Sequence, residues 1–262
     1  MNIDIYIPAR LDSQRLAQKH LKKINGRPII LHLIDRLKTC KKIRHIIVCT
    51  TNLKSDNLLV QLLEKENILY FRGNENDILQ RFLDTSNQFD TDIILDVEGD
   101  DLYTDPFYVD QIATEMEKND LDFVAGNAST KQFDSSKGFP HGLVPAGIRK
   151  SALEKICRLK TTKIAETGYK EFFMVHDFFK TKYIYPDNVL DIPKELRLTL
   201  DYEEDFNLAK EVFKELGNNF HFIDLLKLFQ NKPLLMDIVK PVIEKWQKNY
   251  DNKISDFSIS KN

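Results

Sequence analysis

Three cations stand close together near the start of the chain, where Arg10, Arg15 and Lys19 fall in PARLDSQRLAQK. Guanidinium forks bind phosphate oxygens in pairs and an ammonium acts as a point charge, so this loop suits a polyphosphate and, through Lys19, a departing pyrophosphate. A solvated basic loop without a ligand would have the same composition. A second group is acidic. The apolar run DIILDV, from Asp92, passes into EGDDLYTDP, which sets Glu98, Asp100, Asp101 and Asp105 at or just past its end. Mg²⁺ needs only one or two carboxylates besides waters and substrate phosphates, so Asp100, directly after Gly99, is the first candidate ligand. Asp105 precedes Pro106 and reads instead as a helix N-cap. Asp201, closing RLTLD from Arg197, is the second isolated aspartate at the end of such a run. It could share a metal with Asp100 if the two runs are neighbours, or cap the helix that follows. In FRGNEND, Phe71 to Asp77, Gly73 would let backbone approach a flat base. His141 and His176 lie in polar or mixed surroundings, where an imidazole serves either an acceptor or local packing. Neither GxxxxGK[ST] nor GxGxxG occurs, which argues against a P-loop kinase and a dinucleotide dehydrogenase.

Residues just past strand ends matter because ligands of open parallel sheets bind beyond the carboxyl ends of the strands. Such a sheet is what the pattern predicts. Ile3 to Ile7 is a short alternating apolar run ending at Pro8, and HIIVCTT, around Ile46 to Cys49, is a second run of buried-strand length. Between them Ile29, Ile30, Leu33, Ile34 and Leu37 recur at helical spacing after Pro28. The alternation continues: Leu58 to Leu63 helical, Leu69 to Phe71 extended, Ile78 to Leu83 helical, DIILDV extended, a helix after Pro106 through Val109, Ile112 and Met116, then LDFVAG extended. Strands alternating with helices imply βαβ units and a parallel sheet. Asn127 to Pro145 turns polar and reads as a flexible loop facing a substrate, and Ile184 to Pro193 is irregular. RLTLD reads as a strand feeding the amphipathic helix of Phe206, Ala209, Val212 and Phe213. Apolar groups at Phe222 to Leu228 and Leu234 to Ile243, then a polar tail after Trp246, suggest a helical appendage with a frayed end.

With 262 residues, 42% of them hydrophobic, the chain can bury a large core. Its 38 basic and 40 acidic residues are mixed along its length, so no overall field draws it to nucleic acid and an anionic ligand must be held locally. Cys40, Cys49 and Cys157 are scattered without a CxxC pair, which favours reduced core thiols and a cytoplasmic setting. The opening MNIDIYIPAR lacks the apolar region of a signal peptide, and no run approaches the roughly eighteen apolar residues of a membrane span, so neither is expected.

IPARLDSQRLAQKHLKKINGRPIILHLIDRL, VCTTN, FRGNENDILQRF, DVEGDDLYTDP and RLTLDYEEDFNLAKEVF, in that order, resemble the cytidylyltransferase family of CMP-Kdo synthetase, CMP-acylneuraminate synthetase and, nearest, the spore coat polysaccharide protein F group. The resemblance covers roughly residues 1 to 217. It implies an α/β fold with a Rossmann-like, mainly parallel nucleotidyltransferase sheet, a cytidylyltransferase domain over 1–217 and a helical extension over 218–262. It also implies CTP as donor, Mg²⁺ as cofactor, a small sugar acid or related acceptor for a surface glycan, and a homodimer. Carried over residue by residue, it turns Pro8, Ala9, Arg10, Ser13, Arg15 and Lys19 toward the triphosphate, and Arg72, Gly73 and Asp77 toward the base or ribose. Asp100 and Asp201 match the metal-binding aspartates, and His141 and His176 remain acceptor candidates. The N-terminal loop departs from the family pattern GSxRLPGK at Asp12, Ala17 and Gln18, which stand for glycine, proline and glycine. Leu102 and Val175 replace an expected proline and acid. Basic residues of the 131–150 stretch, Lys137, Arg149 and Lys150, would suit a sugar phosphate or polyol phosphate as the alternative acceptor.

Overall fold

A computed structural model describes residues 1–126, 138–161, 168–187 and 190–253. Strand β1 (Ile3–Pro8) is followed by a small antiparallel pair, β2 (Lys23–Ile24) and β3 (Arg27–Pro28), then α1 (Ile29–Leu37) and β4 (His45–Thr51). Helix α2 (Asn57–Lys65) leads to β5 (Leu69–Gly73), α3 (Ile78–Phe89) to β6 (Ile93–Asp96), and α4 (Pro106–Lys118) to β7 (Phe123–Ala125). Next come β8 (Ala146–Arg149), α5 (Lys150–Leu159), the single turn α6 (Glu171–Met174) and β9 (Thr181–Tyr183). Helices α7 (Glu203–Leu216), α8 (Phe222–Asn231), α9 (Leu234–Asp237) and α10 (Lys240–Lys253) complete the described chain.

One sheet of order β5-β4-β1-β6-β8-β7-β9 organises the molecule. β5, β4, β1 and β6 run parallel, with Pro8 opposite Cys49 and Tyr6 opposite Asp96, so their carboxyl ends share one edge. Both faces of the sheet are covered, as parallel strands require. Ile5, Ile7, Val48 and Leu95 pack with α1, α4 and α7 on one side, whereas Tyr6, Ile47, Cys49 and Ile94 pack with α3, α5 and α6 on the other. The α/β, mainly parallel architecture agrees with the expectation, with one departure: β8 runs antiparallel to β6 and β7. Leu225, Phe229, Val242 and Trp246 from beyond residue 217 belong to the same apolar cluster as β1. α10 continues to Lys253, so the chain stays helical past Trp246 where a frayed tail was expected.

Two further expectations change. RLTLD forms no strand of the sheet: Leu198 N donates to His141 O and Leu200 N to Asp100 O, each at 3.0 Å, so the segment is laced between two loops. Of the polar stretch Asn127 to Pro145, residues 127–137, Lys137 among them, lie outside the described residues. The remainder packs against RLTLD. Phe139 and Leu143 are buried, and Gly142 (φ +88°) lies so close to RLTLD that a Cβ there would sit 2.1 Å from Leu198 O.

Asp105 caps α4 as expected, accepting Phe107 N at 2.9 Å, and it also accepts Phe222 N at 2.7 Å and His221 Nδ1 at 2.8 Å. One buried carboxylate therefore ties the starts of α4 and α8 together. Asp105→Ala is expected to lower unfolding free energy by about 2–3 kcal/mol, since a cap is lost and buried donors go unmet. Urea melts of the two chains measure this, and a change below about 0.5 kcal/mol would refute it.

Candidate active site

The loops leaving β1 and β6 meet above their shared edge and bound a cleft of about 680 Å³. Gly99 makes that meeting possible, because a Cβ there would lie 2.8 Å from His20 Cε1 and 2.9 Å from Pro8 O. In the N-terminal loop Gln18 adopts a left-handed conformation (φ 50°), the geometry that glycine takes most easily. The single 3₁₀ turn Lys19–Leu21 then aims Lys19 inward.

Lys19 is the hub. Its Nζ contacts Asp100 Oδ2 and lies 3.2 Å from Asp201 Oδ1, which also accepts Arg15 Nη2 at 2.6 Å. The other oxygen of Asp201 accepts Arg197 Nη2 at 3.0 Å, and fully buried Arg197 reaches Asp205 and, at 2.8 Å, Thr199 Oγ1. Burial disfavours the Asp100 carboxylate, yet the adjacent ammonium outweighs it and holds the group down at about 2. Burial likewise opposes the charge on Lys19, and Asp100 with Asp201 raise its pKa nonetheless. Both groups are thus charged at neutral pH.

A second cluster borders the cleft. Lys170 Nζ lies 2.8 Å from Glu98 Oε1 and 3.2 Å from Asp96 Oδ2, and Tyr169 OH donates to that same Asp96 oxygen at 2.6 Å. Burial, then repulsion from Glu98 and Asp100, pushes the Asp101 carboxyl well above the usual range. Burial, followed by Lys19, holds His20 down at about 4, and burial with Arg197 and Lys170 nearby does the same for His141. Both imidazoles are neutral at pH 7, and His20 Nδ1–H donates to Gly99 O at 3.1 Å.

A depressed histidine pKa has a signed consequence for stability. Above about 6.5 neither state is protonated there; between 6.5 and 4 the unfolded chain binds protons that the folded chain refuses. Stability from His20 and His141 is therefore complete above pH 6.5 and lost as pH falls toward 4. Melting temperature is expected to drop over that window, and a His20→Gln, His141→Gln chain to show a shallower drop. Parallel pH profiles would argue against neutral burial.

The structure brings Pro8, Ala9, Arg10, Ser13, Arg15, Lys19, Asp100, His141 and Asp201 to the cleft wall. Arg72, Gly73, Asp77 and His176 are not among the wall residues. The Arg72 guanidinium holds Thr51 O, Leu53 O and Asn57 Oδ1 at 2.7–2.9 Å, fixing the turn after β4. Gly73 is small because Phe71 and Arg81 crowd it, with a Cβ meeting Phe71 Cε1 at 2.7 Å. Asp77 caps α3 through Gln80 N at 3.1 Å and pairs with Lys160. His176 stacks on Phe178, centroids 5.3 Å apart. Arg149 ties Leu121 O, Met116 O and Asn119 O, away from the cleft. Tyr169, Lys170, Trp246 and Asn249, which do line it, carried no sequence signal: each is a lone residue, and the partner of Tyr169 lies 73 positions away.

For a metal, Asp100 and Asp201 supply two carboxylates converging on one cationic nitrogen. Among the described residues no group of three His, Cys, Asp or Glu side chains is arranged around an ion. Two oxygen donors beside an open cleft fit Mg²⁺, which completes its shell with waters and phosphates, and do not fit a closed structural zinc.

Residues 5–179 match the Cytidylyltransferase family model. The chain belongs to the cytidylyltransferase family and is a nucleotidyltransferase. It is 31% identical over 94% of its length to the uncharacterized protein MJ1063 of Methanocaldococcus jannaschii, covering 97% of that protein. It is 23% identical, over 80% of its length and 86% of the relative's, to the spore coat polysaccharide biosynthesis protein SpsF of Bacillus subtilis. A cytidylyltransferase structure from Leptospira borgpetersenii superposes with a TM-score of 0.76 at 25% identity, covering 90% of this chain and 96% of that one. Among the described residues no helix is long and apolar enough to cross a membrane.

Proposed function

We propose that this chain transfers CMP from CTP to a sugar acid or related hydroxylated acceptor, with Mg²⁺ and release of pyrophosphate, to supply surface polysaccharide synthesis. The observation that carries it is the convergence of Arg15, Lys19, Asp100 and Asp201 at one end of a cleft lying over strand carboxyl ends. Arg10 and Arg15 bind the triphosphate oxygens, and Lys19 stabilises the charge that grows on pyrophosphate as its bond to the α-phosphorus breaks. An acceptor hydroxyl oxygen forms the new bond to that phosphorus from the opposite side and gives up its proton to water, and the cleft supplies proximity and orientation. Asp100 and Asp201 would hold Mg²⁺, which supplies charge neutralisation when bound. The name of the Bacillus subtilis relative supports the polysaccharide role. A cytoplasmic homodimer is part of this proposal by family resemblance.

The test is Mg²⁺-dependent pyrophosphate release from each nucleoside triphosphate with Kdo, N-acetylneuraminate, sugar phosphates and polyol phosphates. Release with CTP and a sugar acid is expected, falling at least about a hundredfold in Asp100→Ala. Release with only a sugar or polyol phosphate would reassign the acceptor. CTP binding without release from any of them would mark a silent homologue.

A further inference from the structure

The chain beyond residue 217 enters the cleft. Helix α10 anchors itself through buried Val242 and Trp246, and Trp246 and Asn249, neighbours on one helix face, both line the cavity wall. The Trp246 indole meets the His141 ring edge-on, centroids 4.9 Å apart, and the Arg197 guanidinium carbon lies 5.1 Å from the indole centroid. Asn249 Nδ2 donates to the Tyr202 hydroxyl at 2.7 Å. Asp201 stands between this wall and the triphosphate end: Lys19 and Arg15 hold one of its oxygens, and Arg197 holds the other.

Resting on the cytidylyltransfer reading, we propose that α10 builds the acceptor half of the cleft, with Trp246 positioning the helix end from which Asn249 determines specificity for a polyhydroxylated ring. Two observations favour hydroxyls over a second phosphate there. The wall offers an amide at Asn249, a hydroxyl at Thr199 and the imidazole of His141, all neutral hydrogen-bonding groups of the kind that read alcohols. The cations that approach it, Arg197 and Lys170, are each held by two carboxylates. The indole stands behind these groups: only 4% exposed, with the Arg197 guanidinium over its face, it meets His141 edge-on and fixes where α10 presents Asn249.

Trp246 is the sole tryptophan of the chain, so its emission reports directly on this wall. The experiment titrates the full chain, with Mg²⁺ and α,β-methylene-CTP present, with Kdo, N-acetylneuraminate and glycerol 3-phosphate. A saturable change in Trp246 emission with a sugar acid, and none with glycerol 3-phosphate, is expected. In Asn249→Ala the half-saturation point and the acceptor KM in pyrophosphate release should each rise about tenfold. The KM for CTP should stay within about twofold and the melting temperature within about 2 °C. Trp246→Phe, which keeps an apolar ring, should also raise acceptor KM selectively. Unchanged acceptor KM in both variants overturns the inference, as does an emission response to glycerol 3-phosphate alone. Binding of the CTP analogue without an emission response to either sugar acid overturns this inference and leaves the nucleotide reading standing. No binding of the analogue, measured by calorimetry, overturns both.

Discussion

A Lys19→Met chain is expected to release pyrophosphate about 10²–10³ times more slowly than the parent, with the loss mainly in kcat. Lys19 meets Asp100 and Asp201 at once, and in the proposed transfer its charge serves the leaving pyrophosphate in the transition state. Methionine keeps the length of the stem and removes only the charge. The variant should also melt at lower temperature at neutral pH, because two partly buried carboxylates then face each other without their shared cation. Mg²⁺ should raise the melting temperature of the variant more than that of the parent, since it can neutralise the pair that the ammonium no longer serves. Lys19→Arg should not restore turnover, because a planar fork cannot take the place of a compact ammonium between two carboxylates. Steady-state release assays and thermal melts with and without Mg²⁺ check all of this. Turnover of Lys19→Met within tenfold of the parent would refute the assignment.

The inner parallel strands were legible because they are buried on both faces and so read as short, mainly apolar runs. IDIYI, HIIVCTT and DIILDV each appear as β1, β4 and β6 within a residue or two. β8 was not legible, because AGIR is four residues long, contains a glycine and follows a polar stretch. RLTLD carries the alternation of a strand, and Leu198 and Leu200 are indeed buried, but its backbone partners are loops. Alternation reports a buried side and not the identity of the hydrogen-bonding partner.

At the site, cations and acids adjacent to strand ends could be found because position alone brings them to the edge. The resemblance turns FRGNEND toward the base or ribose, and in the structure the Arg72 guanidinium is engaged by backbone carbonyls of the neighbouring turn, an interaction no spacing announces. Gln18 shows the opposite case. Where the family pattern has glycine, Gln18 takes the left-handed conformation that glycine adopts most easily, at a local cost of about 1 kcal/mol. Lys170 and Trp246 escaped detection because their meaning depends on segments far away in sequence.

Arg197→Met is expected to produce the largest loss of stability, about 3–5 kcal/mol. The guanidinium is fully buried, contacts Asp205, and lies 3.0 Å from Asp201. Removing it takes from the nearly buried Asp205 the cation it contacts and leaves Asp201 to Lys19 and Arg15. Asp205 has a second duty, accepting Asp201 N and Tyr202 N at 2.8 Å each at the start of α7, so its protonation would loosen that helix end as well. A loss of this size is a large part of the 5–15 kcal/mol that typically separates folded from unfolded chains, and should lower the melting temperature by roughly 10 °C. Burial already raises the Asp205 carboxyl and Arg197 is what opposes it, so without Arg197 the deficit should shrink as pH falls toward 4, the reverse of the trend expected for the parent from its buried histidines. If Arg197→Met loses less than about 1 kcal/mol, or its deficit is independent of pH, then Arg197 is a packing group and not the charge that holds Asp201 in place between Lys19 and α10.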